Sequence, residues 1–345
     1  MTRAIVSLLA GTLAVATIAT FGTSSAAFTA RTANPSNQAA TLLVQPPTGT
    51  SATSATAGAI TLSWPASPTA PGTGHTLSYR VFRGPVGGPY AQIGSTSASV
   101  LTYTDTPASD GTYSYVVETA VSGIGTFTSV NSTAASAISD RTPPAMSITC
   151  GGSACGTGWY TAAVSVTVSG TDSGVGMGSL SYQIDGGTTT TVSAASASFS
   201  VSGDSAGHTV AYYGRDAANN TSTTATQTIR IDATAPTAAT SVQSTQGTKG
   251  APATINLTWM AGTDALSGVQ GYVIYWSNAV SGGGCPAISA ANYPNSAAVG
   301  PVTAATIPPS GTLKGGAQYC AYLVTIDNGG NMSAPSNVTG PTKAN

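Results

Sequence analysis

Hydrophobic and polar residues alternate in short runs along most of this chain. Clear examples are AITLSW at 59–64, LSYRVFR at 77–83 and TYSYVVETA at 112–120. Alternation at every second position is the period of a β-strand with one buried face. Gly, Pro, Ser, Asn and Asp separate the runs, and helical spacing is almost absent after residue 30. The pattern predicts an all-β fold of antiparallel strands.

The same order of runs returns near the C-terminus, as TINLTW at 254–259, GYVIYW at 271–276 and YCAYLVTI at 319–326. Trp259 takes the position that Trp64 has in the first copy, so we expect both side chains in a core. The stretch between the copies also alternates, but it has no tryptophan at that position. The chain therefore contains three segments of strands.

Two similar phrases separate these segments, SDRTPPA at 139–145 and IDATAPT at 231–237. Proline cannot donate to a β-ladder and biases its neighbour to extended geometry, which suits a short, stiff crossing between β-domains. We therefore expect domains at 41–140, 141–234 and 235–345, arranged as a rod.

The N-terminus reads MTRAIVSLLAGTLAVATIATFGTSSAAF, with one Arg, an apolar run and then small residues. This layout predicts a hydrophobic helix at 1–27 that is either a secretory signal, cleaved after Ala26 or Ala27, or an uncleaved membrane anchor. A linker at 28–40 follows. The C-terminus, NVTGPTKAN, carries no LPxTG-like sorting phrase, so we expect a protein that is released or is held by its N-terminal segment.

The phrase AAFTARTANPSNQAATLL after this segment resembles the start of mature TasA and camelysin-like proteins and of many actinobacterial surface proteins. The resemblance implies a secreted or cell-surface protein of Gram-positive type.

The first and third segments resemble fibronectin type III domains. A tryptophan ends the second strand, and the approaches GTYSYVV with Tyr113 and LKGGAQYCAYLV with Tyr319 match the family's penultimate strand. The resemblance implies β-sandwiches in which each tyrosine hydroxyl bonds backward to main chain. The middle segment resembles bacterial Ig-like repeats, through TDSGVG from Asp172 and RDAANN from Asp216. The predicted architecture is three tandem Ig-like sandwiches after an N-terminal hydrophobic helix.

Composition restricts the possible functions. Only 6% of residues are charged and the net charge is −1, against about 25% charged residues in typical soluble proteins. No basic stripe is available for nucleic acid or anionic lipid. The chain has two histidines, His75 and His208, and one glutamate, Glu118. Because the histidines fall in separate segments, no Ser-His-Asp or Cys-His set is expected, and we predict that the protein is not an enzyme.

The four cysteines form two local pairs, Cys150 with Cys155 and Cys285 with Cys320. In an exported protein such pairs predict disulfides. A metal site is the alternative, but CGGSAC has the wrong internal spacing for one.

Two pairs of aspartates are candidates for Ca²⁺, namely Asp172 with Asp216 and Asp264 with Asp327. Clustered carboxylates with backbone oxygens can hold this ion. The alternative, which we favour, is that each aspartate orders its own loop by accepting nearby amide N–H groups. Ca²⁺ usually takes more than two carboxylates, so no cofactor is predicted.

The function expected from these features is that of a non-catalytic, extracellular or cell-surface structural or adhesive protein. Its partner would be a cell-wall, matrix or polysaccharide surface, or another surface protein. The alternative is a carbohydrate-binding accessory protein of an extracellular hydrolase system. Exposed aromatic residues would then stack on sugar rings, and the candidates are Trp159, Tyr160, Trp276 and Tyr293.

Overall fold

The computed structural model describes residues 19–21, 25–27, 43–123, 125–249 and 252–345. Most of the predicted helix at 1–27, and the whole linker at 28–40, lie outside these residues. Where the description reaches the N-terminal segment, strands β1 (Ala19–Phe21) and β2 (Ser25–Ala27) pair antiparallel. No described helix has the length and apolar character needed to cross a membrane.

The first group of strands forms two facing sheets. The three-stranded sheet has the order β3-β4-β7, and the larger sheet has the order β10-β8-β5-β6 with β9 paired to β8. A 3-10 turn at Thr56–Gly58 precedes β4. The strands are β3 (Ser51–Ser54), β4 (Ile60–Ser63), β5 (Thr76–Gly84), β6 (Ala91–Ser97), β7 (Thr102–Asp105), β8 (Gly111–Ser122), β9 (Thr126–Thr128) and β10 (Ala135–Ser139).

The middle group also has two sheets, with the orders β12-β11-β14-β17 and β13-β19-β18-β15-β16. It differs from the first group by the short β13, which runs parallel to β19. The strands are β11 (Ala145–Cys150), β12 (Ser153–Ala154), β13 (Trp159–Tyr160), β14 (Val164–Thr171), β15 (Met177–Ile184), β16 (Thr190–Val192), β17 (Ser196–Val201), β18 (Ser205–Asp216) and β19 (Ala225–Ile231).

The third group repeats the plan of the first. Its sheets have the orders β20-β21-β24 and β23-β22-β25-β26. The strands are β20 (Thr240–Gln246), β21 (Ile255–Met260), β22 (Val269–Trp276), β23 (Asn295–Val299), β24 (Ala304–Ile307), β25 (Gln318–Asp327) and β26 (Thr339–Lys343). Among the described residues the protein is all-β, without an α-helix.

Each group encloses its own apolar core because alternate side chains of facing strands point inward. In the first group Trp64 is 3% exposed and meets Tyr79 edge-on, with ring centroids 5.6 Å apart. In the third group Trp259 meets Tyr272 in the same way, at 5.3 Å. The expectation that both tryptophans are core residues is confirmed. In the middle group valines of β14 and Leu180 fill the corresponding space.

The two predicted tyrosine contacts are also present. The hydroxyl of Tyr113 donates to the main-chain oxygen of Ser109 at 3.0 Å, and the hydroxyl of Tyr319 accepts from the main-chain N–H of Lys314 at 3.0 Å. Each contact fixes the turn that leads into the long central strand, β8 or β25.

In two groups, a pair of serines bonds the segment that precedes the last strand to the long central strand, β8 or β25. The main-chain N–H of Ser336 donates to the oxygen of Leu323, and its hydroxyl accepts the N–H of Leu323 at 2.9 Å. Ser333 does the same with Thr325. In the first group Ser129 and Ser132 form equivalent contacts with β8. The sequence did not predict this ending for the first group.

A second, smaller core covers the outer face of β25. It contains Tyr293, Tyr322 and Val324, and the disulfide Cys285–Cys320 fastens the covering loop to the strand. The other disulfide, Cys150–Cys155, closes the turn after β11. Both predicted disulfides are therefore present.

Replacing Ser336 with Ala leaves the buried N–H of Leu323 without an acceptor. We expect a loss of about 1–3 kcal/mol in the free energy of unfolding. Urea unfolding followed by tryptophan fluorescence measures this change. Ser310→Ala, at an exposed position, is the matched control and should stay within about 0.5 kcal/mol of the parent. Equal stability of the two variants would contradict the role given to the serine pairs.

Candidate functional site

The most elaborate polar arrangement of the described chain lies where one group of strands passes to the next. We call residues 140–144 the first joint and residues 232–236 the second joint. Asp140 begins the first joint and is 2% exposed. Its Oδ1 accepts the N–H of Thr142 at 3.0 Å, and its Oδ2 accepts the N–H of Val175 at 3.0 Å. A side chain of the joint therefore holds a loop of the middle group.

Asn220 connects three parts of the chain at the first joint. Its Nδ2 donates to the main-chain oxygen of Asp140 at 2.9 Å and to Oδ2 of Asp216 at 2.6 Å. Its Oδ1 accepts the N–H of Ala57, from the 3-10 turn of the first group, at 2.9 Å. Asn220 is 5% exposed, so these bonds form away from water and are costly to leave unmade.

Two more aspartates complete the arrangement. Asp172 follows β14, and its Oδ1 accepts the N–H groups of Gly174 and Gly176 at 3.1 and 2.8 Å. Asp216 ends β18, and its Oδ1 accepts the N–H of Asn220 at 2.8 Å. One carboxylate oxygen from each of Asp140, Asp172 and Asp216 lies within 4.8 Å of the others. We call these three residues the first cluster.

Gly174 lies close to the joint. A Cβ atom at this position would lie 2.1 Å from Oδ2 of Asp140, so a larger residue here would require the Asp140 carboxylate to shift. Asp172 therefore supplies an acceptor, and Gly174 leaves space beside Asp140.

The second joint repeats this arrangement. Oδ2 of Asp232 accepts the N–H of Ser267 at 3.0 Å, and Nδ2 of Asn331 donates to the main-chain oxygen of Asp232 and to Oδ2 of Asp327, both at 2.8 Å. Oδ1 of Asp264 accepts the N–H of Gly268 at 2.7 Å. Carboxylate oxygens of Asp232, Asp264 and Asp327 again lie within 4.8 Å of one another. These three residues are the second cluster.

The clusters concentrate negative charge in protected positions. Asp216 is 2% exposed, and Asp232 and Asp327 are 0% exposed. Among the described residues, no ion pair includes a carboxylate of either cluster. Arg141, the cation next to Asp140, pairs with Asp110 instead, at 2.7 Å. Amide N–H donors supply the favourable contacts, which is the way a carboxylate is retained in a protein interior without a counter-ion.

Part of each cluster was predictable from the sequence. Asp172 was paired there with Asp216, and Asp264 with Asp327, and the structure brings each pair together. Asp140 and Asp232 were assigned only to the joints. The signal that could have found them was the aspartate shared by the two joint phrases, since it is their one common acidic residue.

The other candidate residues are dispersed. His75 precedes β5 in the first group and His208 lies on β18 in the middle group, while all four cysteines are in disulfides. Two of the four aromatic residues considered for sugar stacking are core residues, because Trp276 is 8% exposed and Tyr293 is 2% exposed. For these two the expectation was wrong. Trp159 and Tyr160 are half-buried on β13.

Comparison with known proteins gives no family model and no curated protein that matches. Solved structures do match. Their family is fibronectin type III and Ig-like. The FN1-FN3 domains of chicken CNTN1 are 15% identical, with 86% of this chain and 97% of that chain covered and a TM-score of 0.32. Domains from titin are 14% identical, with 88% and 98% covered and a TM-score of 0.40.

A Fn3-like protein from Clostridium thermocellum is 34% identical over 27% of this chain and 90% of that chain, with a TM-score of 0.22. All three TM-scores are below 0.5.

His208 is the one histidine that bonds through both ring nitrogens. Nδ1 lies 2.7 Å from Oδ2 of Asp185, and Nε2 lies 2.9 Å from the main-chain oxygen of Gly203. Both partners are acceptors, so the contacts require the doubly protonated imidazolium. The bond to Asp185, then the bond to Gly203, raises the pKa of His208 above its ordinary value.

Replacing Asn220 with Ala removes the three bonds that its side chain makes at the first joint. We expect a loss of about 2–4 kcal/mol in the free energy of unfolding, because the main-chain oxygen of Asp140 and the N–H of Ala57 lose their partners. Chemical denaturation measures the loss. Asn219→Gly is the control, since Asn219 is exposed and has a φ of 68° that glycine accepts. A loss no greater than that of the control would refute the role of Asn220.

His208 should make stability depend on pH. A raised folded pKa means that its contribution is complete below the unfolded pKa of about 6.5 and is lost as pH rises through the folded pKa. His208→Gln should therefore cost more at pH 5.5 than at pH 9, by less than about 1 kcal/mol because Asp185 is partly exposed. Urea midpoints at both pH values test this. Asp185→Asn should abolish the same difference, and a pH-independent cost would contradict the assignment.

Proposed function

We propose that this protein is a non-catalytic extracellular spacer that holds its outer domains at a fixed separation. The three groups of strands are its domains, with boundaries at 41–140, 141–234 and 235–345. The observation that carries the proposal is the repeated, buried hydrogen-bond arrangement at the two joints. A flexible tether needs no such contacts, whereas each joint here is bonded on both sides.

The character of the joints supports stiffness in a specific way. At each joint an aspartate binds a loop of the next domain, and an asparagine side chain from that domain binds the main chain of the joint. Rotation about a joint would break both bonds and would leave a buried carboxylate without its N–H donor. Because interfaces between domains in one chain are often mobile, two joints with the same bonding indicate a selected geometry.

An extracellular location is supported by the disulfides and by the N-terminal sequence. Cys150–Cys155 and Cys285–Cys320 are both formed, and disulfides persist in oxidising compartments. The apolar segment at 1–27 has the layout of an export signal. The chain would be released, or held at the surface by this segment.

The partner in this proposal is a cell-wall, matrix or polysaccharide surface, or another surface protein. The domain ends present loops to such a partner, as loops on a rigid β-scaffold commonly do. The alternative of a carbohydrate-binding accessory protein loses two of its four candidate aromatics to the core. Retention of the purified chain on insoluble cell-wall and polysaccharide preparations separates these functions, and Trp159→Ala tests one of the two aromatics that remain on β13.

The spacer function predicts one narrow distribution of distances between the outer domains. Spin labels at Ser99→Cys and Thr312→Cys, both exposed positions, report this distribution by pulsed electron resonance. The labelled chain with unaltered joints should give a distance distribution with a single narrow peak. Combining Asn220→Ala with Asn331→Ala should broaden it severalfold, because the joint carbonyls lose their donors. A broad distribution before the joints are changed would reject the stiff spacer.

A further inference from the structure

We propose that strand β17 is a self-association surface, which pairs antiparallel with β17 of a second copy of this chain. β17 is the end strand of the sheet β12-β11-β14-β17, so one of its two sides has no neighbouring strand. We call this the open side of β17. Unpaired N–H and C=O groups along such a side can pair with a strand of another chain. The ladder between β14 and β17 sets the register of that pairing.

The hydrogen bonds of this ladder show which main-chain groups are free. The N–H of Gly170 donates to the oxygen of Ala195 at 2.8 Å, and these residues continue the register in which Val168 faces Ala197. In an antiparallel pair, residues that exchange hydrogen bonds alternate with residues that do not. Ala195, Ala197 and the alternate residues after them therefore bond to β14. The groups that point to the open side belong to Ser196, Ser198 and Ser200.

β17 lacks the features that usually protect an exposed edge, namely charged side chains, proline and β-bulges. Its 6 residues, SASFSV, include no charge and no proline, and they pair with β14 without a register shift. Among the described edge strands, the two longer ones, β6 and β20, both contain a shift. β26 contains a shift and also carries Pro341 and Lys343. β17 is thus the longest edge strand of the described chain with a regular ladder.

A second copy is the occupant that this open side fits. When two β17 strands run antiparallel with Ser198 opposite Ser198, Ser196 of each copy faces Ser200 of the other. The three pairs exchange two hydrogen bonds each, so every free group of the open side finds a partner. A two-fold axis through Ser198 makes one surface serve both copies. Strands β11, β12, β14 and β17 contain no charged residue, so like charges do not repel across the axis.

The small size of this interface predicts weak association. Stable interfaces bury about 1,200–2,000 Å², whereas two short edge strands supply main-chain bonds and serine side chains but little apolar area. We expect a dissociation constant of about 10⁻⁵–10⁻³ M. Pairing would join two chains through their middle domains. It goes beyond the spacer function, because it depends on the edge of one sheet and not on the stiffness of the joints.

Sedimentation equilibrium of the full secreted chain, from about 10 µM to about 1 mM, tests the pairing. The mass of the parent should rise from that of one chain toward that of two. Ser198→Lys and Ser198→Asp each place like charges opposite one another and should abolish the rise. An equal mixture of these variants should recover it, because Lys then faces Asp. The matched control is Ser165→Lys, at an exposed position on the same face of β14, and it should associate like the parent.

Ser198→Pro gives a second test that does not involve charge. It removes an N–H of the open side and no bond of the ladder to β14, so the variant should fold and stay monomeric. A parent that is monomeric at about 1 mM would overturn the proposal. Parental association of Ser198→Lys, equal loss in Ser165→Lys, or a mixture of the Lys and Asp variants that stays monomeric would also overturn it. If the parent is monomeric and Ser198→Pro reduces its retention on polysaccharide, sugar occupies the edge and the self-association surface is rejected.

Discussion

Acceptance of main-chain N–H groups by a buried aspartate is the interaction on which the arrangement of this protein depends. Asp140 and Asp232 each end one sandwich and reach into a loop of the next, with carboxylate oxygens 3.0 Å from Val175 and Ser267 nitrogen. A hydrophobic interface would tolerate small rotations, since dispersion contacts are not directional. Hydrogen bonds from fixed N–H donors to a charged acceptor do not tolerate such rotations. Bonds to an ionised group are the stronger ones, and they weaken steeply when misaligned.

Interiors of single sandwiches were largely predictable from the sequence, because their signals are local. Alternation identified the strands, and the matched positions of Trp64 and Trp259 predicted two core tryptophans, each of which packs against a tyrosine of the facing sheet. The disulfides followed from cysteines close in the chain. Trp276 and Tyr293 were candidates for exposed aromatics that stack on sugar, yet Trp276 belongs to the main core and Tyr293 to the covering core over β25.

Contacts between sandwiches were only half predictable. The aspartate loops of the middle and third segments stood out in the sequence, but nothing in their spacing indicated that Asp140 or Asp232 would contact them. To predict this contact one needs the direction in which the chain leaves the last strand of a sandwich, and the packing of the sheets sets that direction. The serine pairs illustrate the same limit. Ser129 and Ser132 resemble ordinary loop residues until β8 lies beside them with free N–H groups.

The placement of the joint contacts has a consequence for how such chains can change length. Two of the three groups that bond each joint aspartate belong to the downstream sandwich, namely one loop N–H and the late asparagine, and the third is the N–H of a threonine in the joint. The upstream sandwich supplies the aspartate after its last strand and, at the first joint, the N–H of Ala57 that donates to Asn220. A unit of this kind carries its own connector, so duplication of one unit inserts a complete new link. Arrays could lengthen by gene duplication where the upstream unit ends in an aspartate and, as at the first joint, offers a turn that meets the late asparagine.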